Sequence, residues 1–499
     1  MREIRVDQLV GRGDPDRPAL TFKDVTLSYR ELADRVARLA AGLRGLGVRR
    51  GDRVAVYAEK RIDTVVALLA TSAAGAAFVP VNPLFKARHL GHVIEDCTPR
   101  VVLTTPERLD TVRDALPLDT SVEHVVEFGS PQWRTLGETE PLPAPAVIDQ
   151  DVAAIMYTSG STGGPKGVVL SHRNILAGAE SVAGYLKQRA DDVVLAALPL
   201  SFDAGFSQLT TSFLVGAHVV LVNYLLPKEV VRLCAKHGVT GLTCVPPLWL
   251  QLVTQDWPAE SVANLRYFAN TGGRMPRATL ARLREIFPAA EPYLMYGLTE
   301  AFRSTYLDPA EADRRPDSIG KAIPNAEILV VRPDGTPCEP GEHGELVHRG
   351  ALVAQGYWRD PVRTAERFRP LPTSYGSEIA VWSGDTVVAD EDGFLYFVGR
   401  GDDMIKTSGY RVSPTEVEEA AYATGLVGEA VALGVDDERL GQHIVLVATL
   451  LGDPDDLRRA LSEVLPAYQL PHRVEVRDQL PRSVNGKFDR HLLAKELSC

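Results

Sequence analysis

The 499-residue chain is 45% hydrophobic and carries 54 basic against 65 acidic side chains, a net charge of −11. That length can bury a large core and divides into more than one domain, and an acidic balance without a Lys/Arg cluster argues against nucleic acid as a partner. No apolar run approaches a membrane span, and the amino terminus lacks a signal peptide's apolar core. Cys97, Cys234, Cys244, Cys338 and Cys499 are scattered without CxxC spacing, so neither a disulfide framework nor a zinc site is expected, and the location expected is cytoplasmic.

Helical and extended patterns alternate along the chain. Leu32, Val36, Leu39, Ala40, Leu43 and Leu46 recur at helical spacing after Ser28, an N-cap with Glu31 completing a capping box. Gly51-Asp52 turns into an extended run at 54–56, and an apolar helix over 65–76 precedes an extended run at 78–81. The Pro-rich stretch 141–145 reads as a surface linker. Strand patterns return at 152–156, 219–222 and 241–245, and residues 361–377, rich in Arg and Pro, read as an exposed loop. An extended run at 393–398 precedes a break near Asp402. Beyond it, helices are expected at 414–423 and 454–465 and strands at 430–434 and 444–450. The alternation predicts an α/β protein: a body with several subdomains over 1–400, built on parallel sheets covered by helices, then a small α+β segment over 403–499.

The stretch Tyr157-Thr158-Ser159-Gly160-Ser161-Thr162-Gly163-Gly164-Pro165-Lys166-Gly167 says most about chemistry. Glycines let backbone N–H groups turn toward an anion, the hydroxyls add donors, and Lys166 adds a point charge. The loop suits a polyphosphate. It is not a Walker A loop, because Pro165 precedes the lysine and Gly167 follows it where Ser/Thr would hold magnesium. A Gly/Ser surface linker is the bland alternative, and the flanking strand and single lysine oppose it.

This loop resembles the signature of the adenylate-forming superfamily: acyl-CoA synthetases, adenylation domains of nonribosomal peptide synthetases, and beetle luciferases. Further motifs of that superfamily follow in order: Tyr296-Gly297-Leu298-Thr299-Glu300, Trp382-Ser383-Gly384-Asp385, Gly399-Arg400-Gly401-Asp402 and Pro481 to Gly486-Lys487. The resemblance implies ATP and Mg2+ as cofactors and a mobile C-terminal lid hinged at Asp402. It implies that Thr158, Ser159, Gly160, Ser161, Thr162 and Gly163 hold phosphates and that Gly272, Gly273, Tyr296 and Gly297 line adenine. Asp385 and Arg400 would then bind ribose, and Lys166, Thr299, Glu300 and Lys487 would be catalytic, with Glu300 as the magnesium ligand. Thr-Glu, Asn-Gly-Lys and a lone Asp or Arg are commonplace; their place inside ordered motifs gives them this reading.

Within the superfamily the subclasses diverge at Phe202-Asp203. By resemblance to amino-acid adenylation domains, Asp203 pairs with a substrate ammonium, and a carboxylate in an apolar pocket does need a cation. The alternatives are that Asp203 caps a helix or pairs with a protein cation; the resemblance implies that Arg303 faces the same acyl pocket, to neutralise Asp203 or to hold a second anionic or carbonyl group of the acid. Ser207, Cys244, Met295 and Ser304 complete the candidate acyl pocket. A short tail follows Lys487 and no carrier domain is expected in it. The reading is therefore adenylation of an amine-bearing acid and transfer to a separate phosphopantetheinyl carrier protein. The alternative is an acyl-CoA synthetase using free CoA, and a non-catalytic nucleotide-binding protein is a third.

Overall fold

The computed structural model describes residues 4–158, 165–371, 378–400, 404–407, 410–437, 441–465, 469–483 and 486–497. The capping box forms as expected. Ser28 Oγ accepts from the Glu31 backbone N–H and Glu31 Oε2 accepts from that of Ser28, opening the helix Tyr29–Gly45. Its apolar stripe, Leu32, Leu39 and Leu43, is buried against the almost wholly buried helix Ile62–Ala73. Each such leucine contributes roughly 1.5–3 kcal/mol.

A six-stranded sheet runs in the order His124–Glu127, Val101–Thr104, Arg53–Tyr57, Ala77–Val81, Val152–Thr158, Lys166–Ser171. The first five strands are parallel and the last is antiparallel. A second, 14-stranded sheet has a parallel stretch of Pro18–Phe22, His218–Leu221, Val193–Ala196, Gly241–Cys244, Tyr267–Asn270 and Glu291–Tyr296. From Thr305–Leu307 onward it turns antiparallel through Ser318–Ala322, Leu395–Arg400, Ile379–Ala389, His343–Gly350 and Ala326–Val331. The parallel sheets expected are present, and antiparallel strands extend both of them. After residue 296 the strands of this sheet pair antiparallel, and the one short α-helix among them, at 361–367, joins no parallel pair.

A correction concerns 361–377. Asp360 accepts from the Arg363 N–H and Pro361 sits at the first helical position, so Pro361–Arg367 is a helix. Phe368–Pro370 then pairs with Ile379–Ala389, with Phe368 buried. Asp-Pro was a helix start rather than a loop signal.

The C-terminal segment has its own five-stranded sheet, ordered Tyr410–Val412, Ile405–Thr407, Gly441–Leu450, Val427–Asp437, with Arg473–Val476 pairing parallel to Gly441–Leu450. Helices Pro414–Ala423 and Pro454–Val464 bury Val417, Ala421, Leu457 and Leu461 against it. The expected hinge, Asp402, lies outside the described residues. Among the described residues no helix is long and apolar enough to cross a membrane, and Cys97, Cys234, Cys244 and Cys338 are free thiols.

Candidate active site

Two backbone registers bring the expected residues together. Strands Val152–Thr158 and Lys166–Ser171 form a hairpin in which Thr158 lies opposite Lys166, closing the base of the Gly/Ser-rich loop. Ser159, Gly160, Ser161, Thr162 and Gly163 lie outside the described residues. Among the described residues the buried Thr158 hydroxyl has no hydrogen-bond partner, which fits a site built to donate to a ligand. In the second register, Asp385 lies opposite Arg400, so the two residues expected at ribose are cross-strand neighbours. Nothing is described of the Arg400 side chain. The Tyr296 hydroxyl donates to Asp385 Oδ2 at 2.5 Å, placing the expected adenine and ribose residues side by side.

Lys166 and Glu300 form an ion pair at 3.2 Å, and Tyr357 joins both: its hydroxyl accepts from Lys166 Nζ at 2.7 Å and donates to Glu300 Oε1 at 2.6 Å. Burial alone would push the Glu300 carboxyl up. The Lys166 ammonium and the Tyr357 hydrogen bond outweigh it and hold the group below the usual range. Thr299 and Glu300 open a single 3-10 turn after the strand Glu291–Tyr296. Tyr357 escaped the sequence reading, because one aromatic after a glycine carries no spacing that points to chemistry.

The C-terminal segment reaches this site. Ser483 N–H donates to the Lys487 carbonyl at 2.7 Å, and Gly486, just before Lys487, adopts φ +79°. Its ammonium stands 5.3 Å from the centre of the Phe202 ring. Gly272, at φ +77°, borders the same stem, while a Cβ on Gly273 would press on Pro246 at 3.1 Å. Gly297 has a matching role, since a Cβ there would lie 3.1 Å from Arg303 Cα.

The expected partner of Asp203 is corrected. Its carboxylate is taken by Arg303, whose Nη1 donates to Oδ2 at 2.9 Å, and both side chains are only 3% exposed. Asp203 is the first residue of the helix Asp203–Val215, and its Oδ1 stands 3.5 Å from the Thr299 hydroxyl. A buried carboxylate already neutralised by a guanidinium leaves no net charge for a substrate ammonium to balance. Arg303 is aimed by an uncommon turn: Phe302, fully buried, has φ +57° and ψ −51°, and Arg303 N–H donates to Ala301 O at 2.6 Å. Such a γ-turn on a bulky residue costs on the order of 1–3 kcal/mol.

The remaining pocket candidates have differing surroundings. Ser207 lies one turn beyond Asp203 on its helix. The Ser304 hydroxyl is engaged by His348 Nδ1 at 2.9 Å, and Met295 Sδ accepts from the Tyr185 hydroxyl at 3.0 Å. Cys244 is packed in a different apolar cluster from Met295, and burial drives its thiol pKa well up. Sequence reasoning also passed over Lys60. It is buried, its Nζ donates to the carbonyls of Ala196, Ala197 and Leu198 at 3.0, 2.7 and 3.0 Å, and it pins the segment leading into Asp203. Burial pulls its pKa down to about 7, while the three carbonyl dipoles favour the ammonium.

Comparison with known proteins agrees with this geometry. The family described as AMP-binding enzyme matches residues 8–358, and the AMP-binding enzyme C-terminal domain matches 416–487. The chain is 33% identical to a feruloyl-CoA synthase from Amycolatopsis sp, covering 96% of this chain and 95% of that protein. It is 34% identical to an L-proline--[L-prolyl-carrier protein] ligase from Streptomyces coelicolor, covering 95% and 92%. Other relatives are far longer: the chain spans 35% of a delta-poly-L-ornithine synthetase from Acinetobacter baumannii, to which it is 33% identical over 96% of its own length. Among solved structures, ATP-bound MatB from Rhodopseudomonas palustris superposes with TM-score 0.89 at 26% identity, covering 100% and 99% of the two chains. The o-succinylbenzoate CoA synthetase from Bacillus subtilis, in complex with its acyl-adenylate intermediate, superposes with TM-score 0.84 at 27% identity, covering 98% and 97%. The chain belongs to the AMP-binding enzyme family, within the adenylate-forming superfamily of acyl-CoA ligases and nonribosomal peptide synthetase adenylation domains.

Proposed function

We propose that this chain is an ATP-dependent, AMP-forming ligase that activates a carboxylic acid lacking an amino group and passes the acyl group to the thiol of coenzyme A. The observation that carries the choice of acid is the dry Arg303–Asp203 pair, which occupies the carboxylate that an amino acid would need. Similarity to an o-succinylbenzoate CoA synthetase and to a feruloyl-CoA synthase, each aligned over nearly its whole length, supports coenzyme A as the acceptor. This replaces the amine-bearing acid expected from Phe202-Asp203.

In this reading the acid's carboxylate attacks the α-phosphate of ATP and pyrophosphate leaves. Lys487 and Thr299 meet the charge developing between carboxylate and phosphate, and Lys166 meets the outgoing phosphates. Tyr296 flanks adenine and Asp385 accepts from the ribose hydroxyls, a task suited to a pure acceptor. The described residues hold no cluster of three or more His, Cys, Asp or Glu able to bind a metal unaided. That fits a magnesium ion carried in on the nucleotide, with Glu300 as its protein oxygen; such an ion would neutralise phosphate charge. The body over 1–400 and a lid over 403–499 turning at Asp402 would separate adenylation from thiol transfer.

The test is exchange of labelled pyrophosphate into ATP with pooled fatty and aryl acids against pooled amino acids, then thioester formation with CoA. Exchange confined to amino acids would overturn the reading. A carrier protein as acceptor is the second reading, favoured by the full-length likeness to the prolyl-carrier ligase. A phosphopantetheinylated carrier protein offered in place of CoA decides between them.

A further inference from the structure

We infer that the acid taken by this site carries, close to its carboxylate, an uncharged oxygen acceptor (a carbonyl or a hydroxyl) that receives a hydrogen bond from Arg303. The inference deepens the proposed ligase function and rests on the acyl site being the one that Asp203 and Arg303 border.

The first observation is an unmet donor. A guanidinium has five N–H donors. In Arg303, Nη1 serves Asp203 Oδ2 at 2.9 Å and the Phe302 carbonyl at 2.7 Å, whereas Nε is buried and has no hydrogen-bond partner among the described residues. Buried polar groups are almost always paired, and a charged donor left unmet is costly, so this one points to an acceptor supplied by a ligand. The neighbouring Ser304 hydroxyl is engaged by His348.

The second observation is charge. Asp203 and Arg303 neutralise one another in a dry setting, each 3% exposed. An ammonium or a second carboxylate on the acid would leave a net charge buried beside them. A neutral oxygen meets the free N–H without that cost.

The third observation is place. Asp203 follows Phe202, whose ring lies under the Lys487 ammonium at 5.3 Å, and Asp203 Oδ1 stands 3.5 Å from the Thr299 hydroxyl. The ion pair is therefore at the reacting end of the acyl site. The buried γ-turn at Phe302 fixes Arg303 there.

The experiment is pyrophosphate exchange with matched acids on one aliphatic and one aryl skeleton: parent, hydroxy, oxo, amino and dicarboxylate forms. A site built to bond a substrate oxygen rejects the analogue lacking it strongly. The hydroxy or oxo acid is expected to exceed its parent by roughly 100-fold in kcat/KM on at least one skeleton, with the amino and dicarboxylate forms below the parent. The double variant Asp203→Ala/Arg303→Leu removes both charges together, with thermal unfolding as the check on folding, and the oxygen-to-parent ratio is expected to collapse toward one. Equal use of parent and oxygenated acids by the unaltered protein, or preference for an amino or dicarboxylic acid, overturns the inference. So does an unchanged ratio in the double variant. Exchange ranked as expected but without CoA thioester defeats the acceptor reading alone; CoA thioester formation without oxygen preference defeats this inference alone.

Discussion

Lys487 crosses from the C-terminal segment to lie directly against Gly272 of the body: a Cβ on Gly272 would sit 2.9 Å from Lys487 Cε and 3.6 Å from its Nζ. The glycine's φ of +77° is one that side chains rarely adopt, so position 272 is closed to larger residues twice over. Gly272→Ala is expected to cut pyrophosphate exchange about tenfold while leaving the melting temperature within a few degrees, because the lysine stem must shift. Lys487→Ala is expected to cost about 10²–10³-fold, the loss typical of removing one preorganised charge partner. Retained exchange in Lys487→Ala would remove this lysine from the adenylation step.

Breaking the Asp203–Arg303 pair on one side strands a buried charge. Asp203→Asn is expected to lower unfolding free energy by up to about 3–5 kcal/mol, and replacing both residues by apolar ones to restore much of it. Urea denaturation of the two single variants and the double variant gives the coupling energy directly. Additive losses would show that the pair contributes nothing of its own.

Tyr357→Phe deletes the hydroxyl shared by Lys166 and Glu300. That hydrogen bond helps hold the Glu300 carboxyl low against burial, so its loss raises the folded pKa. A group needed ionised is then lost at higher pH as acid is added. The acid limb of the exchange profile is expected to move up in pH, with activity above it reduced roughly tenfold. A limb that does not move would exclude Glu300 as the group titrating there.

Burial also sets an acid limit on stability. It lowers His172 to about 4 and His348 to about 3 from an unfolded value of 6.5. Below pH 6.5 the unfolded chain binds protons that these folded imidazoles refuse. Stability from each is thus complete above 6.5 and declines as pH falls toward the folded value, by at most about 1.4 kcal/mol per unit per histidine. Unfolding measured from pH 7 to 4 is expected to flatten in His172→Asn/His348→Gln. An unaltered slope would place the acid sensitivity elsewhere.

Much of this was legible in the chain because its signals are local. The box between Ser28 and Glu31, the strand before Thr158 and the helix Pro414–Ala423 depend on neighbours a few residues apart, where torsional preference and hydrophobic period decide. The ordered motifs were likewise enough to name the superfamily. Residues 361–367 went astray for the same reason in reverse, since Arg-rich composition hid an Asp-Pro helix start.

The sequence alone determined the superfamily and marked out the segments expected to meet phosphate, ribose and the reacting carboxylate. Tertiary structure decided whom the charges meet. Arg303 finds Asp203 100 residues away, Tyr357 joins Lys166 and Glu300 across 191 and 57 residues, and Lys60 spans 136–138 residues to three carbonyls. A carboxylate's partner is set by which cation packing brings within about 3 Å and by how dry that meeting is. Neither quantity is written in the spacing of residues, so Asp203 read from its motif awaited a substrate amine, while in the folded chain it is closed by an arginine.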